Sequence, residues 1–256
     1  MTIDFRAASV EIPREDSPNH HQKPAQPILQ PLTLSLREHR VAVVGANGSG
    51  KSTLLRLING LVPPSGGTVT VNGLDTVVNG REVRQLVGFM FTDPLSQLVM
   101  PTPLEDVELS LRRTGLSRSA RRARALDWLD RFGLAALADN SVFSLSGGER
   151  QLVALASVLA VEPRILVLDE PSTLLDLANT ERLRQLLAEL PLDMVLATHD
   201  LDWAASADRL LLVDQGAIAY DGEPHRGIAQ YRRLVAGRSA ANVRGRFPGL
   251  STEGQS

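Results

Sequence analysis

Lys51, Ser52 and Thr53 close the run GANGSGKST at 45–53, directly behind the apolar residues Val41, Ala42, Val43 and Val44. The spacing is G-x-x-x-x-G-K-[ST] in a strand, turn and helix context, which is where this pattern binds phosphate. Gly45, Gly48 and Gly50 let the backbone curl so that successive N–H groups, with Asn47 and Ser49 among them, face the phosphates of a nucleotide. A helix starting near Lys51 adds the positive end of its dipole. Lys51 is placed to reach the β- and γ-phosphates, Ser52 to offer a hydroxyl to Mg²⁺, and Thr53 to bond an outer phosphate oxygen. The chain carries 27 basic residues, of which only Lys23 and Lys51 are lysines. A sequence that otherwise uses arginine keeps lysine where a compact point charge fits and a planar fork does not.

Three further groups complete the expected chemistry. The run ILVLDE at 165–170 reads as a buried strand ending in two acids. A carboxylate at the tip of a parallel strand beside a phosphate loop can hold Mg²⁺ or one of its waters, the role expected of Asp169. Glu170 is expected to polarise the attacking water as general base. His199, in ATHD after the next strand, is expected to sense the γ-phosphate and that water. Finally, LSGGERQ at 145–151 offers Ser146 as an N-cap, with Gly147 and Gly148 opening a helix. That is a second anion cradle. One nucleotide does not need two cradles from one chain, so two chains arranged head to tail are expected, each closing the other's phosphate loop.

The elements that must position these groups follow from the pattern. Strands are expected over 3–10, 32–36, 41–44, 68–71, 165–168, 194–197 and 209–213, with Asn72-Gly73 as a turn and 54–59 continuing the phosphate-loop helix. Residues 13–27 hold four prolines and read as an exposed loop, in which His20 and His21 read as solvated. From Thr92 to Ser144 strands are missing, and 105–112 and 119–132 are helical. Arg118, Arg121, Arg122 and Arg124 read as a solvated face of the second of these helices. Helices are also expected from near Gly147, Leu177 and Asp202, so that strands and helices alternate around a parallel sheet. The tail from Gly237 is polar and is expected to be mobile. No internal repeat is evident.

Composition bounds the class. The 256 residues carry a formal net charge of −2, which gives no basic excess to suggest nucleic acid as the main partner. Cysteine is absent, which excludes disulfides and thiol catalysis. No apolar run approaches the roughly 18 residues of a membrane span, and the N-terminus shows no export signal. A soluble intracellular protein is expected.

These motifs resemble those of the ATP-binding subunit of an ABC transporter, over about residues 1–235. GANGSGKST matches Walker A, LSGGE the signature, ILVLDE Walker B with its glutamate, and His199 the switch histidine, while Leu174-Leu175-Asp176 occupies the place of the D-loop. The resemblance implies an α/β P-loop NTPase with a RecA-like parallel-sheet core at about 1–91 and 150–236. It also implies a small antiparallel β subdomain, an inserted helical subdomain at about 92–149, and a polar tail at 237–256. It further implies ATP and Mg²⁺ as cofactors and an ATP-sandwich dimer that closes on ATP and reopens after hydrolysis. Two positions depart from the family. Ile12 stands where an aromatic usually stacks on adenine, so a raised KM for ATP is expected, and Phe5 is expected to be taken up in strand packing. Thr92 stands where a glutamine usually bridges Mg²⁺ to the membrane partner.

Asp93-Pro94-Leu95-Ser96-Gln97 looks like a variant of the N-P-x-x-Q pattern of energy-coupling factor ATPases, in which the following short helix helps form a groove for coupling helices. Leu98 to Thr102 is similar to the biotin-transporter branch. The resemblance implies a vitamin or transition-metal importer at the cytoplasmic face of the membrane, with biotin favoured. Its partners would be a second ATPase subunit, an integral membrane coupling subunit and a small substrate-binding membrane subunit. The alternatives are the ATPase of a conventional ABC importer, a soluble ABC ATPase of nucleic-acid or translation type, and a non-hydrolysing regulatory binder.

Overall fold

The computed structural model describes residues 1–12 and 26–246, so His20 and His21 lie outside the described residues. The chain opens with β1 (Ile3–Ile12), β2 (Gln26–Leu36) and β3 (Arg40–Val44), and α1 (Lys51–Ile58) follows the phosphate loop. Next come β4 (Gly66–Val71), β5 (Leu74–Asp75), α2 (Gly80–Leu86) and β6 (Val87–Met90). The inserted region holds α3 (Pro103–Ser110) and α4 (Arg118–Arg131), and α5 (Gly147–Leu159) leads back to β7 (Ile165–Asp169). The remainder is α6 (Leu177–Glu189), β8 (Asp193–Ala197), α7 (Leu201–Ala205), β9 (Arg209–Asp214), β10 (Ala217–Gly222) and α8 (Pro224–Arg246).

Two sheets result. The antiparallel sheet has the order β2-β1-β4-β5, and the main sheet has the order β10-β9-β3-β8-β7-β6. All neighbours in the main sheet are parallel except β9 and β10. A parallel sheet covered on both faces needs apolar side chains on both. Accordingly Ile165 and Val167 of β7 enter the core shared with the antiparallel sheet, while Leu166 and Leu168 enter the core of the helical insert. Asn72 at φ 48° and Gly73 at φ 82° make the two-residue turn between β4 and β5.

The structure departs from the sequence-based expectations at four places. Helix α2 and strand β6 were not expected. Gly88 interrupts the apolar run there because α5 approaches: a Cβ at Gly88 would lie 2.6 Å from Val158 Cγ1 and 2.9 Å from Pro163 Cγ. Strand β10 was not expected either, being half polar as an edge strand can be. Residues 26 and 27 belong to β2 rather than to the loop. The last helix runs past Gly237 to Arg246, so the expected tail begins as helix.

In the helical insert, Leu104, Val107, Leu111 and Leu129 are buried against α5 and β7. Asp106 is buried as well, and its carboxylate accepts from Val99 N–H at 2.9 Å, Met100 N–H at 3.1 Å and the Ser157 hydroxyl at 2.9 Å. A buried carboxylate is tolerable only when its lone pairs are satisfied in this way. It ties the loop after β6 to the helix that begins at the signature motif. On α4, Arg118 and Arg122 are exposed as expected, whereas Arg124 pairs with Glu162 and donates to Ala160 O at 3.2 Å.

Candidate functional site

The loop between β3 and α1 is held open by its glycines. A Cβ at Gly45, whose φ is 154°, would lie 2.2 Å from the carbonyl oxygen of Val213, so only glycine fits against β9. Gly50 at φ 109° is the N-cap of α1, and no side chain caps that terminus. The first N–H groups of α1 therefore face the loop without an internal acceptor, an arrangement suited to an anion. Lys51 Nζ donates to Gly45 O at 2.9 Å and Ala46 O at 3.2 Å, placing the ammonium group inside the loop. Asn47 and Gly48 lie exposed at its tip, Ser49 is buried, and Ser52 and Thr53 are half-buried on the first turn.

Strand β7 brings Asp169 to this loop. The Ser52 hydroxyl donates to Asp169 Oδ1 at 3.0 Å, while Oδ2 is buried without a partner. Burial pushes the Asp169 carboxyl above its usual range, and the Ser52 hydrogen bond and the charge of Arg56 oppose that only in part. Thr92 stands near enough to stabilise the charge without closing a hydrogen bond to Oδ2. A buried carboxylate oxygen with no donor, beside a serine hydroxyl, is what a hard divalent cation would satisfy.

Glu170 has left the strand. Its φ of 54° is rare for a residue with a Cβ, and its N–H donates to Ala197 O at 3.0 Å. Its Oε2 lies 2.6 Å from His199 Nδ1 and accepts the His199 N–H at 3.2 Å, while Oε1 lies 3.8 Å from Lys51 Nζ. Lys51, Asp169, Glu170, Ser52 and His199 are thus brought together at the C-terminal ends of β3, β7 and β8. The loop after β8 is fixed by Asp200, which caps α7 by accepting from Asp202 and Trp203 N–H groups, each at 3.0 Å.

The second cradle is built separately, at the start of α5. Ser146 Oγ accepts from Glu149 N–H at 3.2 Å, and Glu149 Oε2 accepts from Ser146 N–H at 2.7 Å, a reciprocal capping box. That backbone donor holds the Glu149 carboxyl below its usual range. Gly147 and Gly148 face the D-loop segment of the same chain: a Cβ at Gly148 would come 3.2 Å from Leu175 Cδ2. Asp176 caps α6 by accepting from Asn179 N–H at 2.8 Å.

Ile12 is exposed at the end of β1, and Phe5 is buried in the antiparallel sheet, as expected from the strand pattern. Gln97 takes a role that sequence reasoning missed. Its Nε2 donates to Ala154 O at 3.2 Å and its Oε1 accepts from Phe91 N–H at 3.3 Å, so it latches the end of β6 to α5.

A family model described as ABC transporter matches residues 29–173. The biotin transport ATP-binding protein BioM of Rhizobium etli is 44% identical over 236 residues, covering 92% of this chain and 100% of that protein. The energy-coupling factor transporter ATP-binding protein EcfA1 of Enterococcus faecalis is 36% identical over 226 residues, 85% of this chain and 80% of that one. Among solved structures, the ATP-binding cassette MJ0796, a post-hydrolysis dimer bound to ADP and Pi, superposes with a TM-score of 0.77 at 29% identity, covering 87% of this chain and 98% of that one. CbiO1 from Clostridium perfringens, part of the ABC transporter complex cbiONQ, gives a TM-score of 0.72 at 26% identity, with 96% and 95% covered. With its phosphate loop, paired acids and signature cradle in this fold, the chain belongs to the ATP-binding proteins of ABC transporters, among relatives of the energy-coupling factor type.

Proposed function

We propose that this chain is the ATP-hydrolysing motor of an energy-coupling factor importer for biotin, acting at the cytoplasmic face of the membrane. The observation that carries the catalytic part is the convergence of Glu170 Oε1 on Lys51 Nζ at 3.8 Å while Oε2 is held by His199 at 2.6 Å. Glu170 is the general base, a role worth about 10²–10⁴-fold in rate. His199 positions it. Lys51 exchanges the carbonyls of Gly45 and Ala46 for phosphate oxygens, and the N–H groups from Asn47 to Thr53 hold the phosphate chain. Ser52 and Asp169 would hold Mg²⁺, which when bound neutralises charge on the outer phosphates. Ser146, Gly147 and Gly148 serve the nucleotide bound by a second ATPase subunit.

The substrate rests on likeness to BioM and the import direction on the cobalt import ATP-binding protein CbiO of Syntrophus aciditrophicus, at 36% identity, whose cargo is the second reading. Among the described residues no helix is long and apolar enough to cross a membrane, and the proposal assigns the passage for substrate to other subunits. Affinity capture of the chain from its native membranes in mild detergent, with mass spectrometry of partners and bound ligand, tests this. An integral coupling subunit with a small hydrophobic subunit carrying biotin supports the proposal. A conventional permease with an extracellular solute-binding protein would refute the transporter class, and bound metal ion in place of biotin would favour the second reading.

A further inference from the structure

Phe143 is 81% exposed, and among the described residues no other Phe, Tyr or Trp ring is exposed. A phenyl ring left in water forgoes the stabilisation that burial would give it. The turn that presents it is well anchored. Val142 and Leu145, on either side, are buried in the core of the helical insert. Val142 N–H donates to Pro101 O at 2.9 Å, and Leu145 N–H donates to Val142 O at 3.3 Å. Ser141 Oγ accepts from Phe143 N–H at 3.3 Å, while the Ser144 hydroxyl donates to Ser141 O at 2.7 Å. The 3₁₀ turn Val142–Ser144 is thus fixed at both ends, and Phe143 is the apolar side chain that leaves it for solvent.

That turn runs directly into the capping box of Ser146 and Glu149, so the ring and the anion cradle share one support. Phe143 stands three positions before Ser146, at most about 11 Å of extended chain. Its exposed neighbours along the chain, Asn140, Ser141, Ser144 and Ser146, are all polar. A protein surface that buries a ring meets it with an apolar patch. A lone ring among hydroxyls and an amide, beside a phosphate-binding helix start, instead suits a ligand with a flat face, a sugar and phosphates.

We propose that Phe143 stacks on the adenine of the ATP held by the phosphate loop of a second copy of this chain, the outer phosphate of that ATP lying on the Ser146–Gly148 cradle. The chain's own phosphate loop follows β3 in the main sheet, whereas Phe143 belongs to the helical insert. The ring therefore acts with the cradle, on the neighbour's nucleotide. The proposal rests on the reading that two ATPase subunits share each nucleotide, and it supplies the ring that Ile12 lacks. Stacking reads the flat face of a base rather than its edges, so the contact adds affinity with little discrimination between purines.

Two measurements on the full chain test it. Phe143→Ala should raise the KM for ATP about tenfold, equivalent to about 1.4 kcal/mol, with kcat and Tm unchanged. Phe143→Trp should restore the KM, and Phe143→Leu should not. To place the contact in trans, the Glu170→Gln variant is loaded with 2-azido-ATP and irradiated, and its monomer and dimer are separated. Light expels N₂ from the azide, and the nitrene inserts into a neighbouring bond. The expected adduct is on Phe143 in the dimer and absent from Phe143 in the monomer. An unchanged KM in Phe143→Ala overturns the inference, and restoration by leucine overturns it in favour of apolar packing between protein surfaces. An adduct on Phe143 in the monomer, or a dimer labelled only elsewhere, overturns it too, while leaving the two-subunit reading intact. Failure of Glu170→Gln to form any dimer with ATP overturns both.

Discussion

Glu170 Oε2 stands 2.6 Å from His199 Nδ1 and also accepts the His199 backbone N–H at 3.2 Å, so one carboxylate oxygen is fixed twice by one residue. The other oxygen is left facing Lys51 at 3.8 Å. This leaves a base with one oxygen held and one free for a water. Glu170 N–H also donates to Ala197 O at 3.0 Å, which joins the ends of β7 and β8 that carry base and positioner.

Replacing the base while keeping its shape separates binding from hydrolysis. Glu170→Gln is expected to lower kcat by about 10²–10⁴-fold, with ATP still bound and a dimer accumulating in size-exclusion chromatography. His199→Ala is expected to lower kcat with little change in KM, because it acts through Glu170 rather than on the nucleotide. Normal turnover by Glu170→Gln would remove the assignment of the base.

The capping box at the signature should be measurable as stability. Ser146→Ala loses the acceptor for Glu149 N–H, at a cost of about 0.5–2 kcal/mol, or a fall in Tm of about 2–4 °C per kcal/mol. The pH sign follows from the lowered Glu149 pKa. Its contribution is complete above the usual carboxylate range and is lost as pH falls through the lowered folded-state value. Glu149→Gln should flatten that part of the acid limb in a thermal-unfolding series.

The missing aromatic is a testable weakness. Ile12 is 53% exposed, so an aromatic there disturbs no core. Ile12→Tyr is expected to lower the KM for ATP about tenfold with kcat unchanged, as stacking worth about 1–3 kcal/mol would do. An unchanged KM would mean that adenine lies elsewhere.

Gln97→Ala removes two hydrogen bonds that join β6 to α5. Leaving their partners unsatisfied costs about 1–3 kcal/mol, so Tm should fall by several degrees.

The core strands were legible because burial on both faces leaves uninterrupted apolar runs such as Val41–Val44 and Ile165–Leu168. The placement of Lys51, Asp169, Glu170 and His199 was legible because Lys51 opens a helix and the other three lie at or just beyond strand ends. Strand β6 was hidden by Gly88, whose reason lies in α5, far along the chain. The latch made by Gln97 depends on contacts between separate segments, which no local pattern encodes.

The most direct test of the central claim is uptake of radiolabelled biotin by cells that depend on this chain and its captured partners for import. The account predicts uptake with the wild-type chain and its near-complete loss with Glu170→Gln, at equal amounts of assembled complex. Uptake that persists with Glu170→Gln, or that never depends on the chain, would contradict it.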